Sequence, residues 1–96
     1  MQTYVLLMKA STEGLRKISK VGDRYDAFRK TLKKSGGRLI GAWATLGEYD
    51  YLAVVEVPSE KDLLRVSLGI GARGGGRVDS HRAFPIAEFA KMAKKL

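Results

Sequence analysis

The stretch that decides the fold runs from Leu46 to Val57 and reads LGEYDYLAVVEV. Glycine can adopt a positive φ angle and aspartate can accept hydrogen bonds from its own backbone, so the residues from Gly47 to Asp50 predict a tight turn. From Tyr51 onwards, apolar and β-branched residues follow the pattern of a strand. The apolar segment before the turn, residues 39–46, predicts the other arm of a hairpin at the centre of the fold.

One strand and one long helix are expected on the N-terminal side of the hairpin. Residues 3–9 read TYVLLMK and are apolar on both faces, which indicates a central strand. A turn with a short helical start follows at residues 11–14. Asp23 is the expected N-cap of a longer helix that ends at residues 35–37. The apolar stripe of this helix consists of Tyr25, Phe28 and Leu32.

Two helices and one strand are expected on the C-terminal side. Pro58 ends the hairpin, and Ser59 is placed to cap the next helix. The buried side of that helix is expected to consist of Leu63, Leu64, Val66, Leu68 and Ile70, and the glycines from position 69 onwards are expected to unwind it. Residues 77–84 predict a fourth strand, and Pro85 suits the start of a closing helix. Apolar residues recur along this last helix at Ile86, Phe89, Ala90, Ala93 and Leu96.

The resulting order of elements is β-α-β-β-α-β with an extra C-terminal helix, in a single domain over residues 1–96. This order is typical of the α+β ferredoxin-like fold, in which two helices cover one face of an antiparallel sheet. The uncovered face would carry Leu52 and Val54, which are too apolar to be left in water. We therefore expect the sheets of two copies to pack together, giving a homo-oligomer of at least two chains.

The composition is that of a small, basic, globular protein. The chain has 96 residues, of which 45% are hydrophobic and 29% charged, so one domain with a modest core is expected. The absence of cysteine excludes disulfides, thiol catalysis and thiolate metal sites, and it fits a cytoplasmic location. No apolar run reaches the roughly 18 residues of a membrane span, so no membrane partner is expected.

Four segments of the chain together resemble the GYD domain family. They are Tyr4-Val5-Leu6-Leu7, Thr12-Glu13-Gly14, Thr45-Leu46-Gly47-Glu48-Tyr49-Asp50 and Arg82-Ala83-Phe84. The segment at residues 45–50 matches best, since the family has a G-x-Y-D-like core there. This resemblance covers nearly the whole chain and implies an assembly of the dimeric α/β-barrel type, a group that includes ligand-sensing domains and some cofactor-poor enzymes. It supplies no catalytic motif.

A candidate ligand site follows from the alternation of side chains along the strands. His81 and Asp79 should face the uncovered side of the sheet together with Glu56, whereas Arg82 should lie on the helix side and reach solvent. The expected site for a small acidic or polar ligand between two sheets comprises Trp43, Glu56, Asp79, His81 and Arg82. The competing interpretation makes His81 a surface residue and Trp43 a core residue. His81 is the only histidine, so neither a metal nor another cofactor is expected.

A second candidate site consists of basic residues. The net charge is +8, which attracts nucleic acid or acidic ligands at long range but also serves to keep a surface solvated. The residues placed to bind RNA or DNA are Arg24, Arg29, Lys30, Lys33, Lys34, Arg73 and Arg77. The glycines at 69–76 follow a helix and precede a strand, the reverse of a nucleotide-binding loop, so a flexible loop is expected there.

Three classes of function remain open on these observations. The favoured one is a non-catalytic binding or sensing module, a dimer with a small-ligand cavity between its sheets. The second is a nucleic-acid-binding or ribosome-associated basic protein. The third is a cofactor-independent enzyme of the monooxygenase or isomerase kind, although no set of residues in the sequence combines a nucleophile, a base and oxyanion donors.

Overall fold

The computed structural model describes all 96 residues and has the expected order of elements. In chain order these are β1 (Gln2–Lys9), α1 (Thr12–Arg16), a 3₁₀ turn (Ile18–Lys20), α2 (Val21–Lys34), β2 (Arg38–Ala44), β3 (Tyr51–Val57), α3 (Glu60–Ala72), β4 (Arg77–Ala83) and α4 (Ile86–Ala93). The predicted α+β class and the hairpin formed by β2 and β3 are confirmed.

The four strands form one antiparallel sheet in the order β2-β3-β1-β4. β1 and β3 lie at the centre and pair with each other, as the two apolar faces of β1 predicted for that strand. The hairpin as a whole is not central, because its other arm, β2, is an edge strand. A register shift between Leu39 and Gly41 places a bulge in the edge strand β2. This arrangement is that of a ferredoxin-like sheet.

The core lies between one face of this sheet and the two helices α2 and α3. Leu32 of α2 and Val66 of α3 are almost completely buried. From the sheet, the core receives Tyr4, Leu6, Ala53, Val55 and Val57. In β3 these residues alternate with Leu52 and Val54, so the prediction that Leu52 and Val54 lie on the uncovered face is correct.

Helix α3 buries a narrower stripe than the sequence predicted. Leu63 and Val66 are buried and Ile70 packs beside them, but Leu64 and Leu68 are 58% and 63% exposed. The prediction for these two leucines was wrong because both lie away from the buried stripe: Leu64 is about 100° around the helix from Leu63, and Leu68 is about 200° from Val66. The cap was correct, since the Oγ of Ser59 accepts a hydrogen bond from the backbone N–H of Asp62.

Two helix ends differ from the predictions. The 3₁₀ turn runs directly into α2, which begins at Val21, so Asp23 lies in the first turn and is not the N-cap. Helix α3 continues through Gly69 and Gly71 to Ala72, so these glycines do not unwind it. The chain leaves the helical path only at the triple glycine that follows.

Helix α4 contributes nothing to the core. Every residue from Phe84 to Leu96 is exposed, although the apolar side chains of α4 recur at helical spacing. The expectation of a closing helix packed on the domain is therefore wrong for the single chain: α4 follows the edge strand β4, and its apolar side chains remain exposed. None of the helices has the length and apolarity that crossing a membrane requires.

Candidate functional site

The face of the sheet that the helices leave uncovered, hereafter the open face, has an apolar centre. The pairing of the strands sets Val54 beside Val5 in one row and Leu52 beside Leu7 in the next. All four side chains are only half-buried in the single chain. They form a continuous apolar surface across the two central strands.

Trp43 extends this apolar surface to the edge strand β2. It pairs with Leu52 and is 56% exposed, so the interpretation of Trp43 as a core residue is wrong. Its indole lies over Gly41, where a β-carbon would come within 2.6 Å of the ring. The absence of a side chain at Gly41 therefore allows the indole to lie close to the strand.

Charged residues flank the apolar centre of the open face at both ends. Glu56 forms an ion pair with Arg38 on the neighbouring strand. At the other end, Asp79 accepts hydrogen bonds from Arg77 and from the hydroxyl of Tyr49. Both carboxylates predicted for the ligand site thus have partners within the chain, and Glu56 and Asp79 lie at opposite ends of the apolar rows.

The hydrogen bonds at Asp79 also shift the acidity of the groups involved. The Tyr49 hydroxyl, followed by the Arg77 guanidinium, holds the pKa of the Asp79 carboxyl below its usual value. The same hydrogen bond raises the pKa of the Tyr49 hydroxyl, because the phenolate would face a carboxylate. Asp79 therefore remains ionised as a structural acceptor.

The loop between β2 and β3 is attached to the centre of the sheet. Gly47 has a φ of 109°, but the connection is a six-residue loop over residues 45–50 and not the predicted tight turn at 47–50. The Asp50 carboxylate accepts a hydrogen bond from the backbone N–H of Ala10, at 2.8 Å, rather than from its own turn. The backbone N–H of Asp50 donates to the carbonyl of Met8. Because β1 ends beside this loop, Asp50 bonds to β1, and the expectation of a purely local bond was wrong.

The two remaining residues of the predicted ligand site lie on different faces. His81 is exposed on the open face, where it pairs with Val5. Arg82 lies on the helix side, with its guanidinium 4.5 Å from the centre of the Phe84 ring and 5.6 Å from that of Tyr4. Trp43 and His81 are thus both exposed on the open face, but they lie at its opposite edges, on β2 and β4, and Arg82 lies on the other face. No group of three or more acidic or histidine side chains is arranged to hold a metal ion.

Four of the seven predicted basic residues are exposed, and the other three form hydrogen bonds or an ion pair within the chain. Arg29, Lys30 and Lys33 line a cleft of about 580 Å³ between α2 and β2, in which Asp26 is the one acidic residue. None of these three cations lies within 4 Å of a carboxylate. Lys34 is exposed at the end of the same helix. We call Arg29, Lys30, Lys33 and Lys34 the basic surface.

The other three predicted cations have partners within the chain. Arg24 donates to the carbonyls of Gly14 and Lys17, Arg73 donates to the hydroxyl of Thr31, and Arg77 pairs with Asp79. Arg38, which is not among the seven predicted nucleic-acid-binding residues, also lines the basic cleft. No local sequence signal points to Arg38, because its proximity to α2 depends on how the chain returns after the helix.

Three comparisons relate the chain to known proteins. Its sequence matches the GYD domain over residues 4–93. A protein of Thermus thermophilus, named glutamine synthetase and cystathionine beta-lyase binding protein, is 26% identical over 95 residues. That alignment covers 98% of this chain and 100% of the relative.

Solved structures share the fold at low sequence identity. The crystal structure of FFRP-DM1 has a TM-score of 0.60 and 21% identity, with 88% of this chain and 100% of the other covered. The structure of a hypothetical protein, PHS023, from Pyrococcus horikoshii has a TM-score of 0.55 and 21% identity, with 88% and 92% covered. The fold seen here is thus also found in experimental structures. Because the match to the GYD domain spans nearly all of the sequence, this chain belongs to the GYD domain family.

Proposed function

We propose that this chain is a non-catalytic protein-binding module that works as a homodimer, with two copies joined through their open faces. The observation that carries the proposal is the continuous apolar surface formed by Val5, Leu7, Leu52 and Val54, with Trp43 at its edge. Isolated exposed apolar residues are ordinary, but a contiguous patch rimmed by polar groups is typical of an interaction site.

The distribution of charge supports a sheet-to-sheet dimer. Protein interfaces have an apolar centre and a polar rim. On the open face, the apolar rows are bounded by the Glu56–Arg38 pair at one end and by the Asp79–Arg77 pair at the other. Since both carboxylates already have partners, neither of them would be left without a counter-ion in the interface.

The partners of such a dimer are, we propose, enzymes. The Thermus thermophilus relative is named for binding glutamine synthetase and cystathionine beta-lyase, and it aligns with almost the entire chain. A binding role needs no catalytic group. It is consistent with the open face, where the carboxylates of Glu56 and Asp79 are already paired within the chain. Glutamine synthetase and cystathionine beta-lyase are therefore the first candidate partners.

A binding measurement with these two enzymes tests the proposal. The chain is immobilised, and each enzyme, from the organism that encodes the chain, is passed over it at physiological salt. An unrelated acidic protein is the control, because a net charge of +8 attracts acidic surfaces without specificity. We expect saturable binding of at least one enzyme. Binding no stronger than that of the acidic control would contradict the proposal.

We further propose that the dimer binds a small polar ligand beside His81. The two open faces would bring His81 and Trp43 of each copy to the edge of the interface, near Glu56 and Asp79. A panel of polar metabolites should then raise the melting temperature of the wild type, and His81→Ala should remove the increase while Glu56→Gln reduces it. The absence of any shift, with both variants simply less stable, would leave these residues a structural role only.

The basic surface supports a second candidate function, the binding of nucleic acid. Its cations are free of ion pairs, and three of them, Arg29, Lys30 and Lys33, line one cleft. Phosphate contacts are the main source of affinity for RNA and DNA. Fluorescence anisotropy with mixed RNA should show affinity that falls steeply with salt yet persists at physiological salt. Lys30→Gln with Lys33→Gln should weaken it, whereas Lys94→Gln with Lys95→Gln should not. Binding that disappears at physiological salt would exclude this function.

A further inference from the structure

A second cleft opens on the helix side of the sheet, between the first half of α2 and the strands below it. It has a volume of about 380 Å³, and its walls are almost entirely apolar: Met8, Val21, Tyr25, Phe28, Ala42 and Ile70. Small-molecule sites begin at about 300 Å³, whereas packed interiors contain few voids larger than a water molecule. The space is therefore sufficient for a small organic molecule.

This cleft lies on the other side of the sheet from the apolar rows of the open face, although Trp43 on the edge strand β2 borders both. Met8 and Ala42 point to the helix side of the sheet, the side opposite to the open face. Phe28 and Ile70 pack at the margin of the core, so the inner wall of the cleft is part of the folded domain. Val21 and Tyr25, which are 40% and 42% exposed, form its outer wall. A ligand would thus be held by a single chain.

One charged residue, Arg24, lines this apolar cleft. Its Nη2 donates to the carbonyl oxygens of Gly14 and Lys17, at 3.1 and 3.3 Å, which fixes the guanidinium against α1. Its Nε is buried and has no hydrogen-bond partner. No carboxylate lies within 4 Å of the guanidinium. Arg24 is half-buried beside apolar walls, so its guanidinium is incompletely solvated, and no carboxylate of the chain balances its charge.

We propose that this cleft binds a small apolar carboxylic acid. An aromatic or short aliphatic body would lie against Phe28, Tyr25 and Ile70, and the carboxylate would pair with the guanidinium of Arg24. A carboxylate supplies both the acceptor and the counter-charge, whereas a neutral ligand supplies at most the first. Phosphorylated ligands fit poorly, because the walls offer apolar side chains and a single cation.

The test compares acids with their uncharged amides. Phenylacetate and hexanoate, and phenylacetamide and hexanamide as controls, are titrated into the full chain and followed by ¹H–¹⁵N NMR. The amides of Gly22 and Gly75, which line the cleft, are the reporters. We expect saturable shifts with an acid and at least tenfold weaker binding of its amide, about 1.4 kcal/mol. The absence of saturable shifts up to millimolar concentrations would overturn the proposal.

Two variants locate the binding within the cleft. Arg24→Gln should abolish the preference for the acid, while Lys30→Gln, a change of charge elsewhere on the same helix, should keep it. Because Arg24 also holds α1, Ala42→Leu provides a second test: it fills the cleft from the exposed edge strand and should prevent binding without altering Arg24. Unchanged binding by Ala42→Leu would contradict the proposal. Contacts between Tyr25 of one wild-type copy and Phe89 of a second copy would also contradict the proposal, because helix α4 of the second copy would then occupy the cleft.

Discussion

The hydroxyl of Tyr49 lies 2.8 Å from Oδ2 of Asp79 and donates a hydrogen bond to it, although 30 positions separate the two residues in the chain. Tyr49 belongs to the loop between β2 and β3, and Asp79 to the edge strand β4. The bond therefore reaches across the end of the central strand β1, which pairs with both β3 and β4. Together with the bonds from Asp50 to β1, it fastens this loop to the sheet at one end of the open face.

The hydrogen bond between Tyr49 and Asp79 predicts that part of the stability of the fold depends on pH in the acidic range. The pKa of Asp79 is lower in the folded chain than its ordinary value, so its pairing stabilises the fold above about pH 4. That contribution is lost as the pH falls through the lowered pKa. Asp79→Asn should therefore reduce the melting temperature at neutral pH and flatten its decline in acid. Glu88→Gln on α4 should leave the profile unchanged, and an equal decline in wild type and Asp79→Asn would contradict the assignment.

A pair of glycine substitutions should have opposite effects. Gly76 has a φ of 105°, and a β-carbon there would collide with the carbonyl oxygen of Lys9. Gly76→Ala should therefore lower the free energy of unfolding by about 1–3 kcal/mol or more. Gly69 lies inside α3 with nothing near the position of a β-carbon, so Gly69→Ala should raise it by roughly 0.5–1 kcal/mol. Urea denaturation measures the free energy of unfolding of both variants. Changes of the same sign would contradict the placement of Gly69 inside α3 and of Gly76 in the loop after it.

Two adjacent leucines of α3 should differ sharply in their contribution to stability. Leu63 is 7% exposed and belongs to the core, whereas Leu64 is 58% exposed. Leu63→Ala should cost about 2–5 kcal/mol, because it removes buried apolar contacts and leaves a cavity. Leu64→Ala should change the free energy of unfolding by no more than about 0.5 kcal/mol. Similar losses from both substitutions would mean that α3 is rotated relative to the sheet.

The sequence predicted those parts of the fold that rest on local periodicity. Alternation along β3 placed Leu52 and Val54 on the uncovered face, and the pair Ser59 and Asp62 gave the start of α3. The limits of the helices were less predictable. Asp23 has the chemistry of an N-cap, but the preceding 3₁₀ turn already continues into the helix and supplies its start.

The candidate site was less predictable than the fold because its geometry depends on contacts between distant segments. Nothing near Asp50 in the sequence indicates a bond to Ala10, and nothing near Lys30 indicates that Arg38 shares its cleft. The apolar spacing of α4 is that of a buried helix, yet no surface of its own chain covers it. Periodicity identifies an apolar side but not the partner that packs against it.

The most direct test of the proposed function is the molar mass of the chain in solution, measured by light scattering from low to high micromolar concentration. We expect at least twice the 10.6 kDa of one chain for the wild type. Val54→Glu, in the centre of the open face, should give 10.6 kDa. Leu64→Glu, an equal change of charge on the outer side of α3, should keep the wild-type mass. A wild type of 10.6 kDa throughout this range, or a Val54→Glu variant that still associates, would contradict the open-face dimer.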